Sequence, residues 1–409
     1  MLPRDASIAD LFMGLVAVPS PSGHERALGD EIRDWLADAG VGAEFDRAGA
    51  VNGSDAGNLI ATVPGAPSAP GCLFVAHMDT VETGAPAIRP QLDGEGVIRS
   101  CGETILGADN KSAVAAVMRL CAAVNRLPVA RRPTVVAAFT CREESGRMGA
   151  SLLDLPVAVQ CAFCVDGSRP IGTVITRALG QTVFSFAVRG RAAHAAANPE
   201  AGISAIRVAS EIVAELPIGR LPGGGSASIA AIVGGGVIDR LSPAALRDHG
   251  VQAGADGASS VAIALQSTPT NSVPQLALVR GEVRGYTAEE MEDTVQAIAE
   301  TVARVCAAHE AAYDWVHDPA RMVPPFPGSP GSRAFALVRT AAETVPGVRL
   351  VEESAQATLE ANYLAAGTDV VALASGGRDP HQLSESITVG ELEQLEALLM
   401  GIVEAAMTD

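Results

Sequence analysis

Lysine is almost missing from this chain: of 29 basic residues among 409, Lys111 is the one that is not arginine. Such uniform arginine usage reads as compositional drift, and the survivor's place in GADNKS marks that segment. Positive charge is scarce overall, since 47 Asp and Glu give a formal net charge of −18. No basic stripe is available to neutralise phosphates, so nucleic acid is not an expected partner. Aromatic residues make up 3% of the chain, too few for platforms that stack bases. Long apolar runs are missing too. Gly257 to Val279 carries no charge, but its Gln, Ser, Thr, Asn and Pro residues do not suit a lipid-facing helix of about 20 apolar residues. No membrane partner is expected. Near the start, Asp5 and Asp10 interrupt the apolar stretch that a signal peptide would need.

A second Cys-x-x-Cys is also absent. The seven cysteines are dispersed, and Cys72, Cys141, Cys161 and Cys164 lie in β-like apolar runs, where Cys acts as a small hydrophobe. Cys161-x-x-Cys164 has the spacing of a redox or zinc pair, yet no nearby His completes it; buried thiols are the simpler reading. The cytoplasm is then the default compartment. What is present describes a folded chain. Hydrophobic residues at 48% against 19% charged exclude disorder, and 42 Gly without a three-residue period exclude collagen. The length exceeds the roughly 250–300 residues at which one core stops growing. Two domains, or one with a large inserted lobe, are expected.

The N-terminal part alternates helices and strands. SIADLFMGLVAV and HERALGDEIRDWLADAG repeat apolar residues at helical spacing, as does NKSAVAAVMRLCAAVNRL. GNLIATVPG, GCLFVAHMD, PTVVAAFTC and QCAFCVDG are short apolar runs bounded by turn residues. This pattern predicts an α/β domain with a mainly parallel sheet covered on both faces. From QTVFSFAVRGR onward the strands alternate instead, and EEMEDTVQAIAETVARVCAAHEAAY reads as one long helix. An α+β lobe is expected over 176–298, interrupting an α/β domain that spans 1–175 and resumes over 299–409.

Five places put His or carboxylate residues after an apolar strand or on a glycine-bounded turn. They are His77 and Asp79 in VAHMDTV, Asp109 in ILGADNKS, Glu143 and Glu144 in TCREESG, Asp166 in FCVDGS, and His381 in GGRDPHQLSE. Open α/β sheets bind ligands outside the carboxyl ends of their strands. Any one carboxylate there reads equally as a helix cap or solvated turn. The joint set suits Zn²⁺, Co²⁺ or Mn²⁺ rather than a thiolate cage, and one carboxylate can bridge two ions about 3.5–4 Å apart. Adjacent Glu143 and Glu144 diverge after a strand, so one can bind metal while the other serves as general base. Asp79 lies on the same side of an extended segment as His77 and can hold its ring by the second nitrogen.

With these motifs together, the sequence resembles the dinuclear zinc exopeptidases of the peptidase T, glutamate carboxypeptidase and aminoacylase family. The likeness runs through AHMDTV, LGADNKSA, REESGRMGA, VDG, GRAAHAAANPEAGISAI, GEVRG and PHQLSE, nearly the whole chain. It implies a catalytic α/β domain interrupted by a lid that also dimerises. It implies two divalent ions, zinc first, with Asp109 bridging, His77 and Asp166 completing one ion, and Glu144 and His381 the other. Glu143 then matches the general base and Asp79 the acid behind the ligands. A cis peptide at Asp109–Asn110 belongs to the same pattern. Asp166, where some branches carry Glu, resembles the tripeptidase branch.

In the lid, His194 matches a histidine that reaches across a dimer to the oxyanion; an ordinary turn histidine is the bland alternative. Asn271 and Arg284 match residues that hold substrate carboxylate or backbone, against a plain strand-surface ion pair for Arg284. Asn110 and Ser112 depart from the commoner GADDKAG, and Ser204 stands where Asn is usual. About 30 residues, including DRLSPAALRDHG, are inserted between GGG at 234–236 and Asn271. The expected activity is hydrolysis of an amide bond in a small peptide, foremost by a tripeptide aminopeptidase. A carboxypeptidase or N-acyl-amino-acid amidohydrolase on the same site is the alternative, and a metal-free peptide-binding protein the non-enzymatic one.

Overall fold

The structure is a computed structural model, and it describes all residues except 1, 4–6, 67–70, 82–86, 237–264, 267, 329–330, 366 and 409. Most of the insertion before Asn271 therefore lies outside the described residues. The chain divides into two compact units: Met1–Ala178 with Phe326–Asp409, and Leu179–Pro325.

The first unit is built on an eight-stranded sheet. Its strands are β1 (Ala43–Phe45), β2 (Leu59–Val63), β3 (Cys72–His77), β6 (Val135–Thr140), β7 (Cys161–Val165), β8 (Thr173–Ala178), β14 (Val351–Ala355) and β15 (Asp369–Leu373). Their order is β1-β2-β6-β3-β7-β15-β8-β14. The central four, β6, β3, β7 and β15, run parallel to one another, with β2 and β8 antiparallel on either side. Strand β3 shows why the apolar runs are continuous: Cys72, Phe74 and Ala76 enter one core, while Leu73 and Val75 enter another on the opposite face. A strand covered on both faces has no solvent side on which to place polar residues. Phe74 and Phe163 stack across the β3–β7 pair with centroids 5.0 Å apart, worth about 0.5–1.5 kcal/mol beyond area burial. The helix Ala108–Arg126 covers β3 and β6 and packs on Ile8–Val16 and Val389–Thr408. A separate small sheet orders as β16-β5-β4, from Ser386–Thr388, Val97–Ser100 and Pro90–Leu92.

The second unit holds a five-stranded antiparallel sheet, ordered β10-β11-β12-β9-β13, from Gly219–Arg220, Ser226–Gly234, Leu276–Gly285, Gly180–Arg189 and Ala312–His317. Here alternation is real. Phe184, Phe186, Val188, Val279 and Val283 face the helices Ala205–Glu215 and Ala288–Ala308, whereas Val183, Leu278 and Val316 are exposed.

The unit's far boundary falls at Pro325 rather than at 298, for a physical reason. Met291, Val295, Ile298, Val302 and Val305 on one helix all pack into this unit's core, so a cut at 298 would divide a single packed face. The helix also stops at Ala308 instead of running through Tyr313. Glu310 takes φ 54°, and β13 begins at Ala312. Trp315 then stacks on Phe184 and Phe186, which fixes β13 in the sheet as an added strand.

Candidate metal centre

Because β6, β3, β7 and β15 are parallel neighbours, their carboxyl ends open on one edge, and the chemistry-bearing residues follow from that. His77 ends β3, Glu143 and Glu144 follow β6, Asp166 follows β7, and His381 lies beyond β15. Asp109 enters from the start of the helix Ala108–Arg126, where Gly107 takes φ 75° and the Asp109–Asn110 peptide is cis. Asn110 is fully buried and its Nδ2 donates to the Val165 carbonyl at 2.7 Å, one residue before Asp166.

Among the described residues, three groups of donor atoms lie close enough to hold an ion: His77–Asp109–Asp166, Asp109–Glu144–His381, and His77–Glu143–Glu144. His77 Nε2 is 3.1 Å from Asp109 Oδ1 and 3.9 Å from Asp166 Oδ1. His381 Nε2 is 2.8 Å from Glu144 Oε1 and 3.6 Å from Asp109 Oδ2. Asp109 therefore stands between the two imidazoles and belongs to two groups at once.

Asp79, fully buried, does more than face His77. Its Oδ1 accepts the Glu143 N–H at 2.9 Å and its Oδ2 the Glu144 N–H at 3.1 Å, with the Ser22 hydroxyl also on Oδ2. His77 Nδ1 lies 2.9 Å from the Asp79 carbonyl oxygen and 3.5 Å from its carboxylate. The ring is thus held chiefly by the backbone of Asp79, while its carboxylate fixes the adjacent glutamates. Hydrogen bonds to charged groups contribute about 1.5–3 kcal/mol each. Arg142, just before them, is held at φ 56°, a left-handed conformation costing about 1–3 kcal/mol. Buried Glu25 offsets that strain by accepting the Arg142 N–H at 3.0 Å, and Asn52 accepts from the guanidinium at 2.6 Å.

The electrostatics favour a cation. Burial and the neighbouring carboxylates push Asp166 well above the usual carboxylate range and Glu144 up to about 7. Glu143 is raised by burial, against the opposing pull of His77 and of Arg147, whose Nη1 lies 3.6 Å from Glu143 Oε1. The nearby Asp109 and Glu144 carboxylates outweigh burial at His381 and hold it up at about 9. Burial works against a charged His77, yet hydrogen bonds to Asp109 and Asp79 hold it well above its ordinary value. Asp109 stays low despite burial, because His381 at 3.6 Å and the hydrogen-bonded His77 both favour its anion. Carboxylates gathered this closely repel one another unless protons or a cation sit among them. The donor set fits divalent ions.

A pH dependence follows. With Glu144 pushed up to about 7 and His381 to about 9, an entering divalent ion competes with protons at both. Ion uptake should acidify an unbuffered solution, and affinity should rise with pH until about 9, read by pH-stat titration with Zn²⁺. Uptake without proton release would contradict these contacts.

The lid residues fall in the second unit. His194 Nδ1 accepts the N–H groups of Ala196 and Ala197 at 3.2 and 3.1 Å, which leaves the ring proton on Nε2. Asn271 lies opposite, its carbonyl accepting the Ala195 N–H at 2.9 Å. Arg284 is paired along its own strand, with Nε 2.8 Å from Glu282 Oε1. Cys161 and Cys164 are buried and not joined in a disulfide, and burial pushes Cys164 well above the ordinary thiol value.

Some supporting residues escape a reading by motif. Glu25, Glu385 and Glu360 are buried carboxylates, and burial and Glu143 push Glu360 up to about 8. Of the three, Glu385 alone falls within one of the family-like motifs, PHQLSE. Lys111 carried a compositional signal, and it is fully buried with Nζ donating to the Val18 carbonyl at 2.7 Å.

A sequence model of peptidase family M20/M25/M40 matches residues 73–405. The chain belongs to this peptidase family. YqjE of Bacillus subtilis (strain 168) is 27% identical over 409 residues, spanning 98% of this chain and 99% of that protein. A peptidase T-like protein of Yersinia pestis is 32% identical over 180 residues, 36% of this chain and 43% of its own length. Among solved structures, the aminopeptidase PepT from Bacillus cereus ATCC 10987 matches with a TM-score of 0.83 and 28% identity over 99% of both chains. The M20 fold explains the architecture, a mainly parallel α/β domain interrupted by an α+β lobe. The protein is a peptidase, and among its described residues no helix is long and apolar enough to cross a membrane.

Proposed function

We propose that this M20 peptidase is a cytoplasmic tripeptide aminopeptidase of the peptidase T type that works with two divalent ions. The observation that carries the reading is the pair of donor groups sharing Asp109, with Glu143 held beside them. Likeness to PepT over nearly the whole chain supports the aminopeptidase branch. His77, Asp109 and Asp166 would hold one ion and Asp109, Glu144 and His381 the other; the mixed imidazole and carboxylate set suits zinc, with cobalt or manganese able to substitute. Bound there, the ions supply Lewis-acid polarisation of the scissile carbonyl.

The chain's own residues do the rest. Glu143 takes a proton from the attacking water and delivers it to the departing amine. Asp79 keeps Glu143 and Glu144 in their diverging directions by holding both backbone N–H groups. Asn271 and Arg284 contact the peptide's backbone or carboxylate, for which Arg284 must exchange its bond to Glu282 for one to substrate. The test is a tripeptide panel with free and blocked termini, assayed with and without Zn²⁺, Co²⁺ or Mn²⁺. Hydrolysis should need the metal and a free amine. Activity that survives a blocked amine but needs a free carboxylate would make the protein a carboxypeptidase or an N-acyl-amino-acid amidohydrolase. No hydrolysis with any metal would favour a peptide-binding protein.

The lid completes the reading as a homodimerisation unit. Beyond Ala227 the outer edge of β11 has no partner strand among the described residues, and Ala230, Ala231 and Ile232 are exposed. An open edge of this kind suits two-fold pairing. His194, with its proton on Nε2, would donate to the oxyanion across that dimer. His194→Ala should then lower turnover by about 100–1,000-fold without changing metal content. Near-normal turnover, or a monomer in light scattering with full activity, would return His194 to an ordinary turn.

A further inference from the structure

We propose that Glu385 is a positioning residue that turns the Asp109–Glu144–His381 group into an ion site. Its Oε2 accepts the N–H groups of Leu106 and Gly107 at 2.7 Å each, and its Oε1 accepts the Asp109 N–H at 3.1 Å. The residue is only 2% exposed, so water does not share the task. The two segments it joins are 279 residues apart in sequence. One delivers Asp109 and the other delivers His381.

The His381 segment is closed on itself. Arg378 N–H donates to the Ser386 carbonyl at 2.8 Å, Ser386 N–H returns to Arg378 at 3.2 Å, and Glu385 N–H meets the Gln382 carbonyl at 3.1 Å. Within it Asp379 and His381 take φ 56° and 64°. Such a loop moves as one piece, and the Glu385 carboxylate ties that piece to the Asp109 segment. Three backbone donors on one carboxylate leave little freedom in the separation of His381 and Asp109. Charge-assisted bonds of this kind are stronger than neutral ones.

The His77–Asp109–Asp166 group has supports of its own. His77 Nδ1 rests on the Asp79 carbonyl at 2.9 Å, Asn110 Nδ2 on Val165 at 2.7 Å, and the Asp166 N–H on Leu373 at 2.7 Å. Glu385 reaches this group through the Asp109 N–H alone, whereas it also carries the segment that delivers His381. Loss of the Glu385 clamp should therefore loosen the His381 site far more than the His77 site, a selectivity that general destabilisation does not produce.

The inference rests on the two-ion reading, and the test separates the two. Metal-free full-length protein is titrated with Co²⁺, following calorimetry and visible d–d absorption, beside metal-free melting and far-UV dichroism. Wild-type protein should take up two ions. Glu385→Gln keeps the shape but offers one acceptor oxygen, and its NH₂ faces an N–H. It should keep one binding step, weaken the other by about 10–100-fold, and lose that step's share of the absorption while retaining the wild-type dichroism. Two steps with wild-type affinities and spectrum, or both steps weakened alike, would overturn the role of Glu385. Should Glu385→Gln not fold, Glu385→Asp decides the matter, since it keeps the charge and shortens the reach. Selective weakening is expected again, and wild-type binding overturns the proposal. A wild-type protein that takes up fewer than two ions refutes the two-ion reading before any variant is made.

Discussion

Glu143→Gln should keep both ions bound and abolish nearly all hydrolysis, while Glu144→Gln should lose an ion and activity together. The two residues are chain neighbours fixed by one carboxylate, since Asp79 accepts both of their N–H groups. Their side chains nevertheless have different company. Glu144 Oε1 sits 2.8 Å from His381 Nε2, inside the group that includes Asp109. Glu143 lies toward Arg147 at 3.6 Å. A general base acts on protons and contributes about 10²–10⁴-fold; a ligand acts on ion occupancy. Glutamine preserves the shape of each, so the difference between the variants reports the role and not the packing. Plasma emission analysis paired with a peptide assay reads both quantities. Glu143→Gln shedding metal while Glu144→Gln keeps it would exchange the two roles. Unchanged hydrolysis in both would remove catalysis from this strand end altogether.

The sequence displays these glutamates because each follows an apolar strand, and a strand buried on both faces is easy to see. Leu73 and Val75 had to be apolar as much as Phe74 did, so β3 stands out as an unbroken run. The parallel order β6-β3-β7-β15 then gathers the scattered motif residues at one edge, which is why strand ends in the sequence point to a common place. Short strands were not. β1, β4 and β16 have three residues each, too few for a period to show. β13 hid behind the long helix because AYDWVH follows an alanine-rich stretch with no proline or glycine to end it, and the break at Glu310 depends on tertiary pairing with β9. The clamp residues were illegible for another reason. Glu25 on Arg142 and Glu385 on Leu106 act on backbone donors 117 and 279 residues away, and a backbone partner leaves no mark in the amino-acid sequence.

Asp109→Asn should have the widest effect of any single ligand change, because Asp109 alone belongs to both the His77–Asp109–Asp166 and the Asp109–Glu144–His381 groups. Asp166→Asn or His381→Ala removes a donor from one group and should leave an ion in the other. Asp109→Asn removes the shared anion and should lose both ions, with hydrolysis at background. The variant also gives a readout that needs no ion. Without metal, the Asp109 carboxylate, with Glu144 beside it, holds His381 up at about 9. Asparagine has no charge to hold that proton, so the His381 ring should titrate lower, toward the ordinary value of about 6.5. The sign is set by the partner: removing an anion destabilises the imidazolium, and the pKa falls. Ring-proton NMR of metal-free wild-type and variant protein measures it directly. Two ions retained by Asp109→Asn would exclude a shared ligand. Both ions lost with the His381 titration unmoved would leave Asp109 a ligand but exclude its contact with His381 in the ion-free protein.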